Sequence, residues 1–376
     1  MELLPFVEDL RVVGTLGSNV DIVRIERWSS SLKYYLCTYP EKCLEVEPSR
    51  IPPSWKLFAP YIHGYTILDE DAFVEDLAKA LRNSLEGKTL VLGFSGGKDS
   101  TALLVLATKL VQYVNAELLP IYVHVPILDT SKNLSFVDYV SKKLGIEIVV
   151  VEAKRRDVLS KLRWLGMPRR GFRWCTAFKV VPMRRIVKER NAIELLGDRV
   201  FESLKRLKRL LPIAGKSVVY ARKLHLLAFA TFLDIHRIVR RYGLVHPSYL
   251  EGSLRVSCTL CPYRTLFEID LRNHDDPGLI EELLRRDYSK RFSRIVDLET
   301  FLNLSLWRFD PSRTARILRL VKSVEERCRE HGCEEIAWSW IKQRIAELWS
   351  VDIDAPYLGI DKVVDMLRNS TSSLPT

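Results

Sequence analysis

Two periods alternate through the middle of the chain. Over 71–85 the apolar residues return at helical spacing, and 88–94 (KTLVLGF) is a compact apolar run of strand type. A glycine pair breaks that run, and 101–114 resumes as an apolar helix. Residues 118–125 (LLPIYVHV) read as a second buried strand, 134–144 as a helix, and 146–151 (IEIVVV) as a third strand. Strands with continuous apolar runs, alternating with helices, predict an α/β fold with a doubly wound, mostly parallel sheet. Ligands in such sheets bind beyond the carboxyl ends of the strands, where the glycine pair stands.

The flanks follow other patterns. Residues 1–75 hold short apolar runs, such as 10–13, and a break at Ile51-Pro52-Pro53-Ser54 that reads as a linker or turn, so a separate N-terminal module is expected. The α/β domain is expected over 76–270, although after about 155 the sheet signal weakens and basic helices dominate. One of these, over 201–211, puts Leu204, Leu207 and Leu211 on one face. Residues 271–376 read as a helical C-terminal region with a break at Asp310-Pro311. There is no internal repeat.

At 376 residues the chain exceeds what one core usually organises, and 47% hydrophobic with interspersed charge is the balance of a soluble globular protein. No apolar stretch approaches the length needed to span a bilayer, and the N-terminal segment is acidic, so no membrane partner is expected and the reading is cytoplasmic. Seven cysteines, an odd number, favour metal or redox use over a disulfide framework. Many Lys, Arg and Glu with few Met suit a thermophile, however, and intracellular disulfides occur there. Cys37 and Cys43 read as half of a metal site or as buried or free thiols. Charge is unevenly placed. Residues 151–250 carry 24 Lys or Arg against 7 Asp or Glu, a window of +17 that leaves −6 for the rest of a chain of net +11. Such a window favours polyphosphate or nucleic acid, tRNA or DNA; a solvated face serving a small nucleotide is the plainer reading.

The glycine pair lies in Ser95-Gly96-Gly97-Lys98-Asp99-Ser100. Glycines between a buried strand and a helix let backbone N–H groups approach an anion, and the helix N-terminus adds roughly half a positive charge. Lys98 supplies a point charge for phosphate, Ser95 and Ser100 supply hydroxyl donors, and Asp99 is placed to hold Mg2+ or to fix the loop. The spacing is not that of a Walker loop. Strand, SGGKDS and helix together resemble the PP-loop ATP pyrophosphatase (adenine nucleotide alpha hydrolase-like) superfamily. The resemblance implies an enzyme that cleaves ATP between its α and β phosphates and often adenylates a substrate.

Further segments resemble the phosphoadenosine phosphosulfate (PAPS) reductase-like family. Leu128-Asp129-Thr130 is similar to its LDTG signature, and Arg173-Trp174-Cys175-Thr176 running into Lys179-Val180-Val181-Pro182-Met183 is similar to its CC-x-x-x-KVxPL block. Pro247-Ser248-Tyr249, then Gly252, Arg255 and Cys258-Thr259-Leu260-Cys261-Pro262, resemble its NPLY…GxxRxGCxxCP segment. The resemblance covers roughly 75–270. It implies adenine-nucleotide contacts at Asp129, Thr130, Arg173 and Lys179, and a [4Fe-4S] cluster on thiolates. Aligned on Lys179, the first cysteine of the family's pair is here Trp174 and the second is Cys175, with 82 residues between Cys175 and Cys258. Cys175, Cys258 and Cys261 are therefore the expected metal ligands, for a cluster or alternatively zinc. Arg173 and Lys179 are expected to depress the thiol pKa values. The fourth iron is expected either to stay open to sulfide or substrate or to be closed by a remote cysteine, Cys328 or Cys333.

Dedicated sulfonucleotide reductases of the family usually have a degraded loop and a C-terminal ECGLH-like segment. Here the loop is intact and no cysteine follows Cys333. The leading expectation is therefore ATP-dependent adenylation with Mg2+ and pyrophosphate release, with Lys98, Asp99 and Cys175 catalytic and a sulfur donor supplying the sulfur. A PAPS or APS reductase giving sulfite, with electrons from thioredoxin, is the alternative. A nucleotide- or nucleic-acid-binding protein without turnover is the third.

Overall fold

The computed structural model describes residues 11–16, 20–26, 32–38, 42–46, 70–199, 206, 209–210, 219–220, 222–228, 230, 232–272, 274–332, 334–335 and 338–351. The Pro52 break, Cys333 and the tail beyond 351 lie outside the described residues, as does most of the basic helix expected over 201–211, of which Arg206, Arg209 and Leu210 are described as helical.

The N-terminal strands β1 (Arg11–Leu16), β2 (Val20–Glu26), β3 (Leu32–Thr38) and β4 (Lys42–Val46) form an antiparallel meander in which Cys37 stands opposite Cys43. After it comes α1 (Glu70–Leu85), with Glu70 and Asp71 in its first turn, where the helix dipole favours negative charge. Glu70 is buried, accepts a hydrogen bond from Arg241 and lies 3.8 Å from Lys109, so its charge is compensated.

The second sheet has the order β7-β6-β5-β8-β10-β9. Its strands β5 (Thr89–Gly93), β6 (Glu117–His124) and β7 (Val149–Glu152) are parallel and alternate with α2 (Lys98–Val114) and α3 (Ser131–Leu144), close to the sequence expectation. After β7 come α4 (Arg155–Leu165) and α5 (Thr176–Glu189). The sheet then continues where its signal had faded. β8 (Ile193–Leu195) pairs parallel to β5, setting Leu195 opposite Leu92, and β10 (Lys223–Leu224) pairs parallel to β8, with β9 (Val219–Tyr220) antiparallel on the edge. Strands of two or three residues are too short for a period to register. The chain order reverses between β5 and β8, which makes the carboxyl end of β5 the topological switch point.

The helices α6 (Phe232–Arg241), α7 (Pro247–Leu250), α8 (Pro277–Arg291), α9 (Leu298–Asn303), α10 (Pro311–His331) and α11 (Trp338–Ser350) follow among the described residues, with β11 (Glu334–Glu335) between the last two, paired antiparallel to β4. The break expected at Asp310-Pro311 is a helix start. The Asp310 side chain accepts from the Arg313 N–H at 3.0 Å, and Pro311 takes a first-turn position that needs no N–H. No helix among the described residues is long and apolar enough to cross a membrane.

Two large cores result. One joins β5, α1, α2, α3 and α6 around residues such as Leu92, Leu104 and Ile235. The other joins Val125 and Leu128 after β6, Val158 and Leu162 of α4, Leu260, and the helices from α8 to α10 around Phe292, Phe301 and Trp307. This second core crosses residue 270, so the helical region is packed directly against the loops that carry Asp129 and the cysteines. Phe301 is fully buried there between the rings of Tyr288 and Phe292. Phe301→Ala is expected to cost about 3–5 kcal/mol, read as a lowered denaturation midpoint.

Candidate functional site

The loop between β5 and α2 is held from several sides. Gly96 has φ +73°, in the left-handed region, and a Cβ there would lie 3.4 Å from the Phe136 ring, so both backbone and space favour glycine. The Ser95 and Ser100 hydroxyls lie 3.0 Å apart, and the Ser100 hydroxyl donates to the Gly97 carbonyl at 2.9 Å. From Gly97 onward the chain is committed to α2, whose first turn the Thr101 N–H closes on the Gly97 carbonyl. The Lys98 N–H donates to the Tyr249 hydroxyl at 2.9 Å. Tyr249 is buried and stacks on Trp349 of α11, ring centres 4.4 Å apart. A close approach completes this buttress: a Cβ on Gly252 would stand 2.4 Å from the Lys342 backbone, in space only glycine leaves open.

Lys98 Nζ lies 2.8 Å from Asp99 Oδ2, and Arg199 Nε lies 2.6 Å from Asp99 Oδ1. Burial opposes ionisation of Asp99, but Lys98 and Arg199 outweigh it and hold the carboxyl well below the usual carboxylate range. Of the two roles expected for Asp99, this arrangement serves the fixing of the loop.

Asp129, just past β6, is almost fully buried. It accepts from the Tyr122 hydroxyl at 2.5 Å and from Asn133, and lies 3.5 Å from Lys179 Nζ. Burial and then the Asp129 charge push the Tyr122 hydroxyl far above its ordinary range, so it stays protonated and donates to Asp129. Lys179 in turn reaches Cys258, and although burial works against its charge, Cys258 and Asp129 hold the ammonium above the ordinary lysine range. Thr130 caps the start of α3 with extended backbone.

Cys175 immediately precedes α5, and Cys258 and Cys261 stand in a turn closed by the Cys261 N–H on the Cys258 carbonyl at 3.0 Å. The Thr259 N–H donates to the Leu128 carbonyl, which ties this turn to the loop after β6. All three thiols are free, and they are near enough that Cys261 adds to the raised pKa values of Cys175 and Cys258. The expected depression by Arg173 and Lys179 is not what the site does. Burial dominates at both Cys175, which is raised, and Cys258, which is pushed up to about 12, and the neighbouring cations only moderate the shift. Arg173 lies over the Tyr263 ring at 5.1 Å, a ring that Arg170 and Arg255 also approach.

Among the described residues, no group of three or more His, Cys, Asp or Glu side chains is arranged to hold a metal ion. What the set offers a cluster is its chemistry: three soft sulfur donors close enough to couple electrostatically, with the Lys179 ammonium beside Cys258. Cys328 is disulfide-bonded and buried, which removes it as the remote thiolate that would close the set.

Val256 links the two halves of the site, standing 3.9 Å from a Cβ built on Gly96 and two residues before Cys258. Sequence reasoning missed Arg199, the partner of Asp99, and the roles of Tyr249 and His246. His246 caps α7 by accepting from the Ser248 N–H and meets the Phe136 ring edge-on at 4.5 Å. Burial, with Lys132 adding to it and Asp129 opposing, lowers its pKa from about 6.5 to about 4. The unfolded chain therefore binds the proton first, and stability is lost as pH falls from 6.5 towards 4, by up to about 3 kcal/mol. His246→Asn, which keeps a capping acceptor, is expected to flatten the thermal midpoint against pH in that window.

A mostly parallel sheet with a glycine loop at its switch point, running straight into a helix, is an α/β fold of PP-loop-like form. Residues 89–263 match the family model for the phosphoadenosine phosphosulfate reductase domain. Similar solved structures include the U34-tRNA thiolase NcsA from Methanococcus maripaludis with its [4Fe-4S] cluster, at 17% identity and TM-score 0.37, covering 71% of this chain and 86% of that one. The NH3-dependent NAD synthetase from Campylobacter jejuni is 13% identical with TM-score 0.34, covering 72% and 100% of the two chains. The NMN synthetase from Francisella tularensis is 12% identical with TM-score 0.34, covering 66% and 96%. No curated protein matches the chain.

Proposed function

We propose that the protein is an ATP-dependent adenylating enzyme of the PAPS reductase-like family whose second half-reaction transfers sulfur. The observation that carries this reading is the intact Ser95–Ser100 loop at the switch point, joined through Val256 to the turn bearing Cys258 and Cys261. The backbone at Gly96 and Gly97, the start of α2 and the Lys98 ammonium would bind the triphosphate with Mg2+. An acceptor oxygen then attacks the α phosphorus, the bond from that phosphorus to the α–β bridging oxygen breaks, and pyrophosphate leaves with the electron pair. Positioning and charge neutralisation supply most of the acceleration. Asp99, locked between Lys98 and Arg199, keeps the loop in register, and Tyr249 fixes the backbone at Lys98. Sulfur from a donor would then attack the activated carbon and release AMP.

Cys175, Cys258 and Cys261 would hold a [4Fe-4S] cluster, which supplies an iron without a protein thiolate to bind sulfur. Lys179 keeps a positive charge beside Cys258 and Asp129. The basic window 151–250 would hold the acceptor, a nucleic acid.

A second reading, a sulfonucleotide reductase, is favoured by the family match over 89–263. Parallel incubations separate the two, one with ATP and Mg2+, the other with adenosine phosphosulfate and reduced thioredoxin. Pyrophosphate from the first and no sulfite from the second is the expected outcome. Sulfite without pyrophosphate would replace the adenylation reading with the reductase one.

A further inference from the structure

The carboxyl rim of the sheet holds the phosphate loop after β5 and Asp129 after β6. After β7 it opens into a cavity of ≈ 600 Å³ that the reaction outlined above does not use. Its walls include Val151 to Lys154 at the end of β7, Lys161 of α4, and Trp174, Phe178 and Val181 from the segment around Cys175. The lining is mainly apolar and aromatic, with Lys154 and Lys161 beside Glu152 and Asp157, and Val181 is 61% exposed. Trp174, just before Cys175, and Ala177, two residues after it, both line this cavity.

Across α4 lies a second, open depression of ≈ 430 Å³, lined by Arg156, Arg163 and Trp164 of α4 and by Arg286 and Lys290 of α8. Its acids are few and weakly engaged. Arg163 lies 3.5 Å from Glu282 and Arg156 3.8 Å from Asp157, both pairs well exposed and readily exchanged for another anion. Arg286 has no ion-pair partner among the described residues, and Lys290 reaches the Arg163 carbonyl at 3.3 Å. Trp164 leaves 72% of its surface in water, and the Lys161 ammonium stands 4.9 Å from its ring. Lys161 also lines the first cavity, so one α4 residue joins the two.

We propose that these two features form one track for a single-stranded nucleic acid: phosphates on Arg156, Arg163, Arg286 and Lys290, one base stacked on Trp164, and a neighbouring base in the cavity beside Cys175. The inference rests on the adenylation reading, for which it names the acceptor class and the place where it lies. Cations alone would serve any polyanion. An uncovered indole among them selects unpaired bases, because only an unpaired base offers a free face, and an apolar cavity lined by Trp174 and Phe178 has the chemistry to hold a base extruded from its strand. A duplex can use the cations and neither aromatic feature.

The test is fluorescence anisotropy of labelled 15-nucleotide RNA and DNA single strands, and of the duplexes of the same sequences, against the full chain across a salt series. Single strands are expected to bind at least about fivefold tighter than duplexes, consistent with one stacked base. Trp164→Ala is expected to weaken single-strand binding by about 5- to 100-fold and leave duplex binding unchanged. The double variant R286E/K290E is expected to weaken both and to lower the salt slope by at least about 1.4, two phosphate contacts at roughly 0.7 each. Val181→Glu, a charge in the cavity lining, is expected to weaken single strands only. Circular dichroism and ATP affinity equal to the parent's establish that the variants are folded. Equal binding of duplex and single strand, or single-strand affinity indifferent to Trp164→Ala, overturns the proposal. Its failure is distinct from failure of the adenylation reading: a protein that binds strands as described but never releases pyrophosphate keeps this surface and loses that reaction.

Discussion

Lys98→Ala is expected to lower ATP-dependent pyrophosphate release by about 10²–10³-fold, mostly in kcat, as when one preorganised charge aimed at a transition state is removed. The loop itself should survive the substitution. Its shape is set by the Ser95–Ser100 contact, the Gly97 carbonyl bonds and the Tyr249 hydroxyl, none of which uses the lysine side chain. Asp99 would also keep Arg199 at 2.6 Å, so its carboxylate does not become an unpaired buried charge. Steady-state kinetics with a pyrophosphate readout, beside thermal midpoints, checks both halves. A rate unchanged from the parent would remove Lys98 from the reaction, and a collapsed midpoint would show that its role is structural.

Cys258→Ala is expected to empty the site of iron. Protein purified without oxygen should carry about four irons and matching acid-labile sulfide per chain, falling below about one in the variant. The effect is large because the set has three thiols to begin with and Cys328, a candidate to replace one, is tied up in a disulfide. Folding should tolerate the change, since Cys258 is only partly buried at the edge of the second core and its backbone contacts, through Cys261 and Thr259, need no sulfur. Iron retained in the variant would place the metal elsewhere. Absence of iron from the parent would strike the cluster from the mechanism and leave adenylation standing alone.

The long apolar runs made β5, β6 and the helices between them readable, because each is long enough for one period to repeat and each ends at a glycine or a polar turn. The six-residue loop was readable for the same reason that it works: its chemistry is contiguous. What the sequence hid depends on distance or brevity. β8 and β10 are two or three residues long and owe their place in the sheet to Leu92 and Leu195, which lie a hundred residues apart and become neighbours only through pairing. Arg199 and Tyr249 act on Asp99 and Lys98 from 100 and 151 residues along the chain, and no local pattern singles out the arginine or the hydroxyl that will arrive. Burial misled as well. Basic neighbours suggested reactive thiols at Cys175 and Cys258, yet the second core, built largely from helices past residue 270, desolvates them and raises their pKa values.

The bond broken in ATP tests the central claim most directly. Incubating the anaerobically purified protein with ATP labelled at the α or the γ phosphate, with Mg2+ and total RNA as acceptor, should convert the α label to AMP or an AMP adduct and the γ label to pyrophosphate in equal amounts. Release of the γ label as inorganic phosphate, with the α label in ADP, would contradict the account.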